Sequence, residues 1–191
     1  MKFIIGLVGE NGGGKGTFAE FLVALGAENH TPIDRVRSSD VLKETLKIWD
    51  LPFTRENLQK VAVTMVTTFG ENALSNAVRD RIEASTAPII ISDAIRWKAD
   101  ERLIRSYEKH LLVYITADPK LRYERMRARK EKLGEDTMTF EQFSKDEQAR
   151  TERDIPEIGA RADVRVTNNG SAEDLKRAMY DIWQARILPL L

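Results

Sequence analysis

Gly9-Glu10-Asn11-Gly12-Gly13-Gly14-Lys15-Gly16-Thr17 is the stretch on which the reading of this chain turns. Ahead of it, Phe3-Ile4-Ile5-Gly6-Leu7-Val8 is a short unbroken apolar run, which suits a strand buried on both faces of a parallel sheet. Behind it, Phe18, Phe21, Leu22 and Leu25 recur at helical spacing, with Gly26 expected to end the helix. A glycine-rich loop that leaves a strand and opens a helix is a phosphate cradle. Its glycines let the backbone wrap an anion and turn several N–H groups inward. The helix N-terminus adds a favourable dipole, and Lys15 supplies a point charge for the β- and γ-phosphates. Gly16 stands where a hydroxyl often ligates magnesium, so Thr17 is the nearest hydroxyl for that task. A merely flexible turn accounts for neither the spacing nor the lysine.

Outward from the loop, strands and helices alternate. Residues 33–38 read as a second strand, and Val41, Leu42, Leu46 and Trp49 mark a helix ended near Pro52. Thr54 caps a further helix that Gly70 interrupts, and Leu74, Val78 and Ile82 carry the next. Residues 88–93 and 111–115 are buried-strand runs, the first ending in Asp93, with a polar helix between them. Asp118-Pro119 starts a helix, and Thr139 with Gln142 forms a capping box for another over residues 140–153. A short strand over residues 164–166 and a last helix capped by Ser171 close the chain. This alternation predicts a parallel sheet with helices on both sides, whose ligands sit at the carboxyl ends of the strands.

Composition limits the partners. The 191 residues carry 30 Lys+Arg against 30 Asp+Glu, so a generic nucleic-acid or membrane-surface binder is not expected. With no cysteine there is no thiolate metal site, disulfide framework or cysteine nucleophile. Six of the 11 glycines fall between Gly6 and Gly16. No leader or membrane-spanning pattern is read in the chain, and the expectation is a single cytoplasmic domain over residues 1–191, monomeric or homodimeric.

The neutral total conceals two opposed runs. Residues 119–132 hold seven basic and two acidic side chains; residues 135–157 hold eight acids and three bases. Their plain reading is a pair of solvated, mutually attracted faces. Their functional reading is a lid over residues 122–153. Arg122, Arg125 and Arg129 would turn toward phosphate, and Arg150 or Arg153 would return from the far side. Arg125 and Arg129 rank highest, being four apart on one helical face.

GGGKGT resembles the phosphate loop of the adenylate-kinase-like group of P-loop kinases, which shares the GKGT ending. Ser38-Ser39-Asp40-Val41-Leu42-Lys43 is similar to the start of that group's acceptor-binding helices, with Lys43 where the group has arginine. Ile89 to Arg96 resembles its strand ending in an acid followed by an arginine near the acceptor phosphate. Residues 123–129 resemble its arginine-bearing helix into the lid. Asp93-Ala94-Ile95-Arg96, Lys145-Asp146-Glu147 and Val166-Thr167-Asn168-Asn169-Gly170 also resemble a branch of dephospho-coenzyme-A-kinase-like proteins.

The resemblance implies a three-layer α/β P-loop fold with a five-stranded parallel sheet, a helical acceptor flap over residues 38–87 and the lid. It implies transfer of the γ-phosphoryl group of ATP, with Mg2+, to a nucleoside or deoxynucleoside monophosphate. Gly9, Asn11, Gly12, Gly13, Gly14, Lys15, Gly16 and Thr17 then hold the nucleotide. Thr17 and Asp93 serve the metal, Asp93 through water. Asp40, Lys43, Arg96 and Arg150 hold the acceptor, and Lys15, Asp93, Arg125 and Arg129 act on the transferring group. Dephospho-coenzyme A is the alternative acceptor, and a regulatory P-loop ATPase without an acceptor is the alternative of another class.

Overall fold

The computed structural model describes residues 2–129 and 135–190. Its five strands, β1 (Phe3–Val8), β2 (Ile33–Arg37), β3 (Ile89–Ile95), β4 (Lys109–Thr116) and β5 (Val164–Thr167), form one parallel sheet in the order β2-β3-β1-β4-β5. β1 is central, and its side chains alternate between two cores. Phe3, Ile5 and Leu7 pack with α1 (Lys15–Glu28), α9 (Ala172–Ile182) and Trp183 just after it, and Phe18, Leu22, Leu175 and Trp183 are fully or almost fully buried. Ile4 and Val8 face the other core, with Ile82 of α4 (Ala73–Ala84), Ile104 of α5 (Lys98–Arg105) and Ile158 of α8 (Ile155–Ala160). A strand buried on both sides has no polar face to alternate with, which is why its sequence is a continuous apolar run.

Between β2 and β3 the chain makes a helical excursion: α2 (Ser38–Ile48), α3 (Arg55–Phe69) and α4. It has its own small core of Leu42, Ala62, Val66 and Leu74. The Thr54 hydroxyl accepts from the Asn57 N–H at 3.1 Å, capping α3, and Gly70 ends that helix with φ +95°. After β4 come α6 (Pro119–Arg129) and α7 (Phe140–Asp146).

Two helix ends differ from expectation. α1 runs on through Gly26 to Glu28. Gly26 is there for space, because a Cβ on it would come 2.5 Å from Ile33 Cδ1. The helix expected over residues 140–153 stops at Asp146, despite a well-formed Thr139–Gln142 capping box. Turns follow, and α8 begins separately at Ile155. The break coincides with Glu147 pairing with Arg122 of α6, Thr151 meeting Gln59 of α3 and Glu152 pairing with Arg96, partners a continuous helix would carry the side chains past. No described helix is long and apolar enough to cross a membrane.

Candidate active site

The phosphate loop lies at the carboxyl end of β1, where the neighbouring strands β3 and β4 leave toward opposite edges of the sheet. Gly12 and Gly14 have φ +78° and +106°, and a Cβ on either would meet Arg122 O at 2.4 Å or Asn168 Nδ2 at 2.3 Å. Glycine is therefore required at both by backbone conformation and by close approach. Three side chains brace the loop. Tyr114 and Thr116 of β4 both donate to the Glu10 carboxylate, Thr116 at 2.8 Å. Asn168, just after β5, donates to Gly13 O at 3.0 Å. Lys15 opens α1 and lays its ammonium on the carbonyls of Gly9 (2.6 Å) and Glu10 (2.9 Å). Burial, helped by the Arg96 charge, lowers its pKa to about 8 against the pull of Asp93, Glu152 and Glu10.

β3 runs two residues past Asp93, the acid expected to end it, so Asp93 sits near the strand's carboxyl end, one strand over, beside a bulge in the β1–β3 register between Leu7 and Val8. Two arginines of β2 hold its carboxylate: Arg35 through both Nε (2.9 Å) and a terminal nitrogen, and Arg37 with Nε at 3.6 Å. Arg35 also reaches over the first turn of α1, 3.8 Å from where a Cβ on Gly16 would lie. From the opposite wall, Arg125 of α6 donates to the carbonyls of Asn168 (2.8 Å) and Gly170 (3.1 Å). Together these residues, with Thr17 and Arg129, enclose a cleft of about 540 Å³ rich in cations.

A second cleft of about 440 Å³ opens under the helical excursion. Leu42, Phe53, Leu58, Ala62, Leu74 and Trp97 give it an apolar wall, and Ser38, Arg55, Gln59, Thr151 and Glu152 a polar one. Asn11, Ser39, Lys43 and Arg96 line both clefts. Arg96 is anchored by its own backbone, since the N–H groups of Arg96 and Trp97 donate to Asp100 at 3.1 Å each. Burial raises the Asp100 pKa to about 6, with the two N–H bonds opposing that rise. The Arg96 guanidinium pairs with Glu152 and reaches Asn11 Oδ1 at 3.5 Å.

Most residues singled out in the sequence converge here. Asn11, Gly12, Gly14, Lys15, Gly16, Thr17, Asp93, Arg125 and Arg129 line the first cleft, and Lys43 and Arg96 the border. Gly9 and Gly13 form the loop beneath, packed on Ile115 O. Asp40 and Arg150 are elsewhere. Asp40 pairs with Lys43 at 3.6 Å outside both linings, and Arg150 is exposed and outside both. Arg122 does not turn to the cleft either. It is buried, donates to Ala117 O at 2.9 Å, pairs with Glu147 and lies over the Phe143 ring. With Arg129–Glu135, that pair bears out the attraction between the two charged runs; Lys130, Glu131 and Lys132 lie outside the described residues.

Arg35, Arg37 and Glu152 are the residues the sequence reading missed. For the arginines a signal exists: they are two apart near the end of a strand, so they share a face. For Glu152 none exists, because its role depends on where residues 147–154 turn. Among the described residues no group of three or more His, Cys, Asp or Glu is arranged to hold a metal. What the first cleft offers a cation is Thr17 and Asp93, a set that suits magnesium completed by phosphate oxygens and water.

Comparisons with known proteins place the family and the fold. The AAA domain profile matches residues 5–152. A UPF0200 protein of Methanoculleus marisnigri is 30% identical over 176 residues, covering 90% of each chain. UPF0200 protein MJ1399 of Methanocaldococcus jannaschii is 28% identical over 190 residues, covering 95% of this chain and 89% of that one. Among solved structures, shikimate kinase from Bacteroides thetaiotaomicron superposes with a TM-score of 0.61 at 14% identity over 99% of both chains. TT1252 from Thermus thermophilus gives 0.58 at 20% identity over 96% of this chain and 97% of that one. At such identities the likeness is one of fold: a three-layer α/β P-loop kinase fold, with no acceptor class attached. The match over residues 5–152 and the near full-length relatives make this chain a member of the UPF0200 family, built on the AAA domain.

Proposed function

We propose that the protein is an ATP-dependent phosphotransferase that passes the γ-phosphoryl group to a small phosphorylated acceptor, a nucleoside or deoxynucleoside monophosphate. One observation carries this: the phosphate cleft and the apolar-walled cleft meet at Asn11, Ser39, Lys43 and Arg96. A donor phosphate in the loop and an acceptor in the second cleft would abut there, as in-line transfer requires. A simple ATP-binding switch has no need of the second cleft.

In this reading Lys15 and the loop N–H groups hold the donor phosphates. Magnesium, when bound, neutralises charge on the donor phosphates, and Thr17 and Asp93 are the residues that would hold it, Asp93 through water. Arg35 and Arg37 fix the Asp93 carboxylate, so its orientation is set before any ligand arrives. Arg125 and Arg129 add positive charge where the transferring group passes. Lys43 and Arg96 take the acceptor phosphate, and the apolar wall takes the acceptor's body. The described parts of the segment, residues 122–129 and 135–153, act as a lid that excludes water from the reacting phosphates.

Dephospho-coenzyme A is the second reading, and Glu152 is the observation that favours it. A buried carboxylate facing the acceptor cleft is placed to take a proton from an attacking hydroxyl, which a phosphate acceptor does not need. The test is ADP formation with ATP, magnesium and a panel of nucleoside monophosphates, nucleosides and dephospho-coenzyme A. A monophosphate should raise ADP formation well above the acceptor-free rate. If no acceptor does so, the kinase reading gives way to an acceptor-free ATPase.

A further inference from the structure

Among the described residues Glu152 is the one carboxylate that lines the second cleft, and its side chain is only 7% exposed. Burying a charge this far is costly unless it is paired, and Arg96 supplies the pairing. The pair is one link in a chain of polar contacts across the cleft. Gln59 of α3 donates to the Thr151 hydroxyl at 3.3 Å, that hydroxyl donates to Glu152 at 3.2 Å, Glu152 pairs with Arg96, and Arg96 reaches Asn11 of the phosphate loop. The same segment is tied down nearby by Arg55–Asp146 at 3.2 Å and by Arg122–Glu147, and Arg122 also touches Asn11 O at 3.4 Å. A carboxylate of this chain thus sits on Arg96, which with Lys43 borders both clefts.

We propose that Glu152 sets the affinity of the acceptor site for phosphate by competing with the acceptor for Arg96, so that a phosphomonoester must displace it and an uncharged hydroxyl leaves it in place. This rests on the phosphotransferase reading for its consequence in turnover, but the competition itself is a binding property. A phosphomonoester brings nearly two negative charges and three acceptor oxygens, enough to replace one carboxylate on a guanidinium. An alcohol brings neither and leaves Glu152 in place. In this partly buried site a doubly charged phosphate and the Glu152 carboxylate repel each other on the one guanidinium, and the phosphate takes the place of Glu152. The turns around Thr151 loosen with it, because the Gln59–Thr151–Glu152 contacts are continuous.

The experiment compares wild type with Glu152→Gln, using adenosine monophosphate, adenosine and inorganic phosphate as probes. Calorimetry should show the glutamine variant binding adenosine monophosphate and inorganic phosphate about tenfold more tightly, with adenosine unaffected. In turnover, KM for the monophosphate should fall by about the same factor with kcat within about twofold. A fall in kcat at unchanged KM overturns the proposal and makes Glu152 a base for a hydroxyl acceptor. Unchanged phosphate affinity also overturns it and leaves the pair as packing alone. If the variant fails to fold, wild type suffices: amide exchange in residues 147–154 should speed up on saturation with inorganic phosphate. Unaltered exchange, or no phosphate binding by either protein, overturns the proposal. Tighter phosphate binding without any ADP formation would instead retain the competition and remove the kinase reading.

Discussion

The two clefts are built in opposite ways. The phosphate cleft stands on a contiguous floor, Gly9 to Thr17, whose conformation is dictated locally by glycines at positive φ and by the start of α1, and is walled by Arg35, Arg37, Asp93, Arg125 and Arg129 from other elements. The acceptor cleft draws on the loop at Asn11, the excursion between Ser38 and Leu74, the β3–α5 turn at Arg96 and Trp97, and the turns at Thr151 and Glu152. No two of these pieces are neighbours in the chain. A contiguous floor tolerates change elsewhere in the protein but almost none within itself. An assembled site is the reverse: each wall residue contributes a little, and the whole depends on how distant segments pack.

That contrast predicts graded effects. Lys15→Ala should lower ADP formation by about 100-fold or more, since it removes a charge aimed at the transferring phosphates; steady-state assay at saturating acceptor checks this. Gly12→Ala adds a single methyl, but into a backbone at φ +78° and 2.4 Å from Arg122 O. It should cost about 1–3 kcal/mol from strain alone, visible as a lower Tm, with a matching loss of nucleotide affinity.

The pH dependence separates the clefts in another way. With its pKa lowered to about 8, the Lys15 ammonium is lost as pH rises through 8 in the free protein. Bound phosphate favours the protonated form, so binding above pH 8 should take up a proton, and ATP affinity should fall by up to about tenfold per pH unit. Below pH 7 this dependence should vanish, and Lys15→Met should abolish it; calorimetry in buffers of different ionisation enthalpy reads both. The smallest effect belongs to the assembled wall. Phe53→Ala should raise the acceptor KM by about fivefold while leaving the KM for ATP within about twofold. If Phe53→Ala weakens both substrates equally, the two clefts are not separate sites and the contrast fails.

How far the sequence could be read follows the same division. The strands, the capping boxes at Thr139 and Ser171 and the Gly70 break depend on neighbours within a few residues, and they lie where the periodicity and cap chemistry put them. α7 stops short of its expected end because Glu147 and Glu152 are drawn to Arg122 and Arg96, partners 25 and 56 residues away. Arg122 departs from its expected place through its own packing. Its spacing on α6 suits a phosphate ligand, but the Phe143 ring and the Ala117 carbonyl hold it inside.

From the sequence alone come the parallel α/β architecture, the order of its elements and the phosphate loop with its lysine. Each rests on a local rule: buried strands read as apolar runs, helices as 3.6-residue periods, anion cradles as glycines before a helix. Only the tertiary structure decides that Arg35 and Arg37 grip Asp93, that Asn168 braces Gly13, and that Glu152 stands on Arg96 between the clefts. Those are pairings of charged and polar groups across the ends of separate elements. Their strength depends on burial and distance, which chain order does not encode.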